Sequence, residues 1–434
     1  MKIVLIAAFS NDEVRKHLTF RKTGRLYQGL IKFFRLPQRV GDFREIAPWI
    51  PGVVAEIEKH PDLDLHVIGP HIRLKRRIEE FELRGTHYHF YRSDFMSFLR
   101  TVGSYKLWYH LQGSGRIVRR ILKRIDPDLV VLSGAENPVS SAAVLASGGY
   151  PRLCLCQTIY NNPERSAYST PNKLIQDLEK DIFSQLHYFG VFSGLHYRLL
   201  REMNPAATIL KYGFPSKGVL WEPDPSIVKQ YDFVNFALMH GSRKGTPDSI
   251  QALAIVKRQY PDVTLNIVGG CDGKGKERLE RLVRELGLES NVIFTPFFEK
   301  RSDLMAHIQK SRFAVLPCKL DHTAGTMSQA MQLGLPLVVY KTTGTPSFNR
   351  DRMCALIAEK GDVNGLAEHM MSLLKDERLA ASLRKNARAL QESKMAVARE
   401  NGERLIAIFK AVADKEKRGI DIPTEYLFNP ERDD

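Results

Sequence analysis

A chain of 434 residues is too long for one ordinary core; its length allows two large domains or three small ones, and two is the expectation. With 43% apolar and 26% charged residues it falls in the globular range, which excludes a disordered chain, and no stretch approaches the roughly 18–20 apolar residues needed to span a bilayer. The formal charge of +15 points to an anionic partner: nucleic acid, anionic lipid or a phosphorylated substrate.

The opening "MKIVLIAAFS" has the lysine and apolar run of a miniature signal peptide, but the run is short and the charged "NDEVRK" follows it without a small-residue cleavage site. It reads as a first β-strand. Further β-branched runs follow: "LDLHVIG" (63–69), "THYHFY" (86–91), "DLVVLSG" (128–134), "RLCLCQT" (152–158) and "YFGVFSG" (188–194), with helix-period segments at 105–124 and 174–186. Strands alternating with helices predict βαβ units and a largely parallel sheet covered on both faces. Residues 15–39 alternate basic side chains with Phe20, Tyr27, Phe33 and Phe34 and contain no acid, a composition suited to an anionic membrane surface or lipid-linked substrate, and equally to nucleic acid. Arg116, Arg119, Arg120, Lys123 and Arg124 read as a solvated helix face.

A Pro- and Gly-rich linker, "YGFPSKGVLWEPDPS" (212–226), precedes a second series: "YDFVNFALM" (231–239), "VTLNIVGG" (263–270), "NVIF" (291–294), "RFAVLPC" (312–318), "LPLVVY" (335–340) and "CALIA" (354–358). The C-terminal part is helical by period over 362–374, 376–392 and 395–414. The expected organisation is a Rossmann-like domain at 1–212, a second at 213–395, and a helix and tail at 396–434 packing across the domains. The five cysteines, 154, 156, 271, 318 and 354, lack CxxC spacing, which argues against both a disulfide framework and a zinc site and favours a reducing compartment. Cys154 and Cys156 read as core thiols.

Three loops at expected strand ends carry chemistry. "GCDGKGKE" (270–277) nearly satisfies GxxxxGK[ST], but Glu277 stands where a hydroxyl would hold Mg²⁺, which argues against an NTPase site and leaves a flexible βα turn or a glycine loop that lets a ligand approach the strand ends. "HGSRKGTPDSIQAL" (240–253) sets Gly241, Arg243, Lys244 and Gly245 beside a helix start with Thr246 as N-cap and Pro247 first in the helix, an anion-binding arrangement or a set of solvated loop charges. "LPCKLDHTAGTMSQAMQLGLP" (316–336) ends a strand and opens a helix, Thr326 and Gln329 fit a capping box, and Gly334 with Pro336 stops it. Asp321, His322 and Thr323 are left as polar groups above the sheet. In the first domain Glu136, Asn137 and Gln157 follow strands at the ligand-facing edge, and His17 is a candidate base. Neither GxSxG nor HExxH occurs.

Residues 231–345 resemble the donor domain of GT-B glycosyltransferases, specifically the retaining family 4 that includes many enzymes of bacterial surface-polysaccharide synthesis. The likeness rests on "SRKG" (242–245), "LNIVGG" (265–270), "LGLESNVIFTPFF" (286–298) and "LPCKLDHTAGTMSQAMQLGLPLVV" (316–339), in order and spacing. More weakly, "LCQTIYNNP" (155–163) is similar to a segment of the acceptor half. The resemblance implies an α/β GT-B fold with two doubly wound domains. It further implies catalytic roles for Asp321, Lys244 and Arg243, and donor binding by Gly241, Gly269, Gly270, Phe297, Thr323, Ala324, Gly325, Thr326 and Gln329. His17, Glu136, Asn137 and Gln157 would lie on the acceptor side. The family's two glutamates fall on Asp321 and Gln329 and its arginine on Met239, leaving Arg243 as the nearby replacement.

By resemblance the first carboxylate contacts the donor sugar and the second holds ribose hydroxyls, so Asp321 serves with a shorter side chain and Gln329 without charge. The expected activity is a retaining transfer from a UDP- or GDP-linked sugar to a glycan or lipid-linked acceptor, independent of metal and of any cofactor, the nucleotide sugar being a substrate. The expected location is the cytoplasm, at the inner face of the membrane through residues 15–39. A nucleic-acid-binding protein, a sugar-nucleotide epimerase and an inactive relative of the same fold are the alternatives.

Overall fold

The computed structural model describes residues 1–9, 11–20, 49–71, 74–93, 114–167, 172–215, 220–271, 273–320 and 324–433. Two compact units share the chain. Unit 1 is Met1–Pro163, Pro171–Lys217 and Ala398–Asp434, and unit 2 is Glu164–Thr170 and Gly218–Val397.

In unit 1 the strands are β1 (Lys2–Ile6), β2 (Asp64–His71), β3 (Ile78–Leu83), β4 (Thr86–Arg92), β5 (Leu129–Ser133), β6 (Arg152–Leu155), β7 (Tyr188–Val191) and β8 (Thr208–Lys211). They form one sheet in the order β3-β4-β2-β1-β5-β6-β7-β8. Pairing is parallel except at the edge, where β3 folds back antiparallel on β4. Parallel strands are buried on both faces, which is why they read as unbroken apolar runs: Ile3, Val4, Leu5 and Ile6 are wholly inaccessible. The antiparallel β3, "IEEFEL", and the short β8, "TILK", are the two strands the periodicity did not predict.

Unit 2 contains β9 (Tyr231–Met239), β10 (Leu265–Gly270), β11 (Val292–Thr295), β12 (Ser311–Val315), β13 (Leu337–Tyr340) and β14 (Ala355–Ala358). Its sheet is wholly parallel in the order β11-β10-β9-β12-β13-β14. Both sheets thus run outward from a central first strand, and the direction reverses between β1 and β5 in unit 1 and between β9 and β12 in unit 2. In open α/β sheets the loops at the carboxyl ends of the strands flanking such a reversal part to leave a ligand crevice.

The C-terminal region corrects an expectation. After helix Val363–Lys375, the two helices expected over 376–392 and 395–414 are one continuous helix, Glu377–Arg418. The intervening "QESKM" holds no proline or glycine, so nothing interrupts the i→i−4 ladder. The far end of this helix places Leu405, Ile408, Phe409 and Val412 in the core of unit 1 beside Ile3, Leu5 and Ile57. Gly402 allows that approach, because a Cβ there would lie 2.4 Å from the Glu56 carboxyl carbon. Among the described residues no helix is long and apolar enough to cross a membrane.

Candidate active site

The reversal point of the unit 2 sheet brings three strand-end loops together, those after β9, β10 and β12. The loop after β9 forms a 3₁₀ turn, Ser242–Lys244, and then enters helix Thr246–Lys257 through Gly245 at φ +67°. A Cβ on Gly245 would lie 2.0 Å from the Pro317 carbonyl oxygen, so only glycine lets this loop press against the end of β12. The contact is reinforced by the Lys319 N–H donating to the Arg243 carbonyl at 3.0 Å. Lys319 Nζ also reaches the buried Asp248 Oδ2 at 2.8 Å, and the Tyr340 hydroxyl donates to the same oxygen at 2.8 Å. Burial, with the adjoining Asp248 charge, pushes the Tyr340 hydroxyl far up, so it stays a donor.

On the other side, His240 locks the β9 loop to β10. Its backbone N–H donates to the Gly270 carbonyl at 2.8 Å. Its Nε2 lies 3.0 Å from the Val268 carbonyl and its Nδ1 lies 3.0 Å from Thr246 Oγ1. A carbonyl only accepts, so Nε2 carries the proton and Nδ1 accepts from the threonine hydroxyl. Burial, with a smaller contribution from the Lys244 charge, lowers the His240 pKa and keeps the ring neutral. Gly269, at φ +138°, sits so tightly under β9 that a Cβ would fall 1.8 Å from the Ala237 carbonyl oxygen. Gly270 lies beneath Met239, whose sulfur would be 3.3 Å from an added Cβ.

Two expectations about helix starts are corrected here. Thr246 is the first helical residue, not the N-cap; Gly245 occupies that position and the threonine hydroxyl turns to His240. Thr326 and Gln329 form no capping box, because helix Gly325–Gln332 begins two residues early, with Ala324 as N-cap and the Met327 N–H donating to the Ala324 carbonyl at 2.9 Å. No side chain caps either helix. By contrast Asn172, Ser193 and Asp362 cap other helices of the chain. The carboxyl edge of unit 2 therefore combines the positive ends of two helices, uncapped by side chains, with Arg243 and Lys244 on the turn between β9 and its helix, a geometry that favours an anion. Gly334, at φ +67°, ends the second helix as expected, with the Leu335 N–H donating to the Ala330 carbonyl at 2.9 Å.

Of the expected donor residues, Gly241, Arg243, Lys244, Gly269, Gly270, Ala324, Gly325, Thr326 and Gln329 follow or flank β9, β10 and β12. Asp321, His322 and Thr323 lie outside the described residues. Gln329 is half-buried one turn into its helix. Phe297 follows the edge strand β11, two strand spacings or about 10 Å from β9. Met239, in the place of the family's arginine, is 41% exposed at the end of β9, so the nearest expected cations are those of the adjoining turn. A cavity of about 440 Å³ lies at the opposite, amino-terminal edge of the sheet, lined by Lys229, Arg312, Gly334 and Arg384 and remote from these loops.

In unit 1 the expected acceptor-side residues separate. Glu136 folds its carboxylate back over Gly134 at the end of β5, where an added Cβ would meet its Oε2 at 2.4 Å. Asn137 caps the short helix Pro138–Ser141, its Oδ1 accepting from the Val139 N–H at 3.2 Å. Gln157 lies against buried Tyr212 after β6. His17 instead stacks on Phe81 of the edge strand β3, ring centroids 4.8 Å apart, four strand spacings or about 19 Å from β5. Sequence reasoning missed Glu179, a fully buried carboxylate that accepts from the Tyr160 N–H at 2.8 Å and from the Asn161 N–H at 2.7 Å, fixing the loop that begins at Gln157. The neighbouring Cys156 thiol and burial push Cys154 well up, which leaves it a core thiol.

Two largely parallel sheets, each with a reversal beside its central first strand, define the chain as an α/β protein of the GT-B fold. Sucrose-phosphate synthase of Thermosynechococcus elongatus superposes with a TM-score of 0.67 at 18% identity, covering 95% of this chain and 100% of that one. HepE of Anabaena, in complex with UDP and glucose, superposes with a TM-score of 0.63 at 14% identity over 94% and 100%. Residues 225–390, which hold all three stitched loops, match the family Glycosyl transferases group 1. The GDP-mannose-dependent alpha-(1-6)-phosphatidylinositol monomannoside mannosyltransferase of Mycolicibacterium smegmatis is 29% identical over 148 residues, 32% of this chain and 38% of the relative. The N-acetyl-alpha-D-glucosaminyl L-malate synthase of Bacillus anthracis is 28% identical over 145 residues, 33% and 36% respectively. The matched stretch spans under two fifths of the length of these two curated relatives.

Proposed function

We propose that this protein is a retaining, metal-independent glycosyltransferase that moves a sugar from a UDP- or GDP-linked donor to a glycan or lipid-linked acceptor. The observation that carries the proposal is the stitching of the Arg243–Lys244 turn to the end of β12 through Gly245 and Lys319, beside two helix N-termini without side-chain caps. Breaking the bond from the sugar's anomeric carbon to phosphate oxygen leaves the electron pair on the diphosphate. Arg243, Lys244 and the amides of Gly325 and Thr326 supply positive potential for that developing charge without a metal ion. The acceptor hydroxyl then attacks the same face and its proton passes to the departing phosphate oxygen, so a protein nucleophile is not needed. Asp321 orients the donor sugar and Gln329 accepts from a ribose hydroxyl. One relative whose name gives GDP-mannose as its donor, and a like-folded protein bound to UDP, support the donor class.

The acceptor side draws on Glu136 and the Glu179-fixed loop, and residues 15–39 hold the chain to an anionic membrane surface on the cytoplasmic side. The test is calorimetric titration with UDP and GDP, followed by a donor panel read for transfer and hydrolysis. Lys244→Ala is expected to weaken nucleotide binding at least tenfold with an unchanged circular dichroism spectrum. Absence of saturable binding by either nucleotide, with no donor turnover, refutes the proposal.

A further inference from the structure

The amino-terminal edge of the unit 1 sheet holds a cluster the donor chemistry does not use. Asp64 and His66 lie on β2, His87 and His89 on β4, and Glu80 and Glu82 on β3, and alternation puts all six on one face. The register sets His66 opposite His87, Glu82 opposite His87 and Glu80 opposite His89. The His66 and His87 rings stack with centroids 4.7 Å apart, and those of His66 and His89 are 5.3 Å apart.

The hydrogen bonds fix the tautomers of His66 and His89. Glu80, which also accepts from Arg124, lies 2.7 Å from His89 Nδ1, so that nitrogen carries the proton and His89 Nε2 is an acceptor. His66 Nδ1, 3.0 Å from His89 Nε2, must then be the donor. His66 Nε2 is left with a lone pair aimed at Asp64 Oδ1, 3.4 Å away, and His87 Nε2 is 3.6 Å from the same oxygen. A nitrogen lone pair and a carboxylate oxygen facing each other at this distance repel unless a positive charge sits between them. One ligand atom from each of Asp64, His66 and His87 can be chosen so that all lie within 4.8 Å of one another. Ligands bound tetrahedrally at about 2.0–2.2 Å are separated by about 3.3–3.6 Å, the spacing the Asp64 oxygen makes with both imidazoles.

We propose that Asp64 Oδ1, His66 Nε2 and His87 Nε2 bind one divalent first-row transition ion of the zinc class, with water completing its shell. The His66–His89–Glu80–Arg124 chain is the outer support that fixes the ligating tautomer, as carboxylate–histidine pairs do at zinc sites. Two imidazoles and one carboxylate suit zinc, cobalt or nickel over calcium or magnesium. At the entry ends of β2 and β4 the ion ties two neighbouring strands together, away from the carboxyl-edge loops, and so serves the stability of unit 1.

The full-length chain, free of any histidine tag and stripped with chelator, is titrated with ZnCl₂ by calorimetry and with CoCl₂ by visible absorption. The expected result is one equivalent bound, a cobalt d–d band of tetrahedral intensity, and a rise in Tm that a chelator reverses. His87→Ala and Asp64→Asn, both at partly exposed positions, are expected to weaken zinc at least tenfold and abolish the cobalt band. Glu80→Gln, which touches no ligand atom, is expected to weaken zinc tenfold to a hundredfold by freeing the tautomers. Sub-stoichiometric binding, or undiminished binding in a His87→Ala/Asp64→Asn double variant, marks an adventitious ion only and overturns the proposal.

Discussion

Gly245→Ala tests whether the contact between the β9 turn and the end of β12 creates the site. The new Cβ would stand 2.0 Å from the Pro317 oxygen, whereas carbon and oxygen require at least about 3.2 Å, so the two loops must part by about 1.2 Å. Holding alanine in the left-handed region costs about 1–2 kcal/mol, and forced opening of a packed contact about 1–3 kcal/mol. Parting also stretches the 3.0 Å hydrogen bond from the Lys319 N–H to the Arg243 carbonyl and shifts the cationic turn. A loss of about 3 kcal/mol, at roughly 2–4 °C per kcal/mol for a unit of this size, lowers Tm by about 6–12 °C. Circular dichroism melts of the full chain read the stability, and titration with UDP and GDP reads the site; nucleotide affinity is expected to fall at least tenfold. A variant that melts within about 1 °C of wild type and binds nucleotide equally well refutes the reasoning.

Gly325→Ala separates the two readouts, since nothing lies within 4 Å of the added Cβ: thermal stability is unchanged or rises by up to about 1 kcal/mol, while nucleotide affinity falls as the methyl crowds the helix start. Glu179→Gln turns one of the two carboxylate oxygens that hold the Tyr160 and Asn161 amides into an NH2 donor facing an N–H, so a chemical denaturation curve is expected to show a loss of about 2–3 kcal/mol with nucleotide affinity intact. His240 contributes a pH dependence. Its folded pKa lies below the unfolded value of about 6.5, so in the interval between them the unfolded chain binds the extra proton and stability falls as pH falls. Denaturation midpoints from pH 7.5 to 5 should drop more steeply for wild type than for His240→Gln, by up to about 1.4 kcal/mol per pH unit, and parallel curves count against a neutral buried ring.

Sequence pattern reached the central strands of both sheets because burial on two faces leaves runs such as "KIVLI" and "LVVLS" almost free of polar residues. It missed β3 because the edge strand carries Glu80 and Glu82 on a wet face and Glu79, held by the Thr19 N–H, on the other, a run that reads as a loop or a helix face. Local pattern also misjudged Thr326 and Gln329. Their capping-box spacing is real, but a helix starts where tertiary contacts place its first turn, and that was at Gly325. The pairing of Lys319 with Asp248, the seating of Gly245 on Pro317 and the His66–His89–Glu80 chain join residues distant in sequence, and no short motif encodes them. The D-x-H and H-x-H spacings of "DLH" and "HYH" were the available hint, since period two on a strand puts such side chains on one face.

The long helix Glu377–Arg418 also sets the order in which the chain matures during synthesis. Unit 1 begins with the first residue but cannot close its core until Leu405, Ile408, Phe409 and Val412 have been made, after the whole main body of unit 2. At about 5–20 residues per second, the nascent first half waits roughly 10–40 s with that apolar face open. Unit 2, nearly contiguous from Gly218 to Val397, can fold during the wait. A ribosome-stalled chain ending near Val397 should therefore protect unit 2 from protease while leaving unit 1 open, and truncation of the last helix should direct the protein to chaperones and aggregates before any loss of donor chemistry is measured.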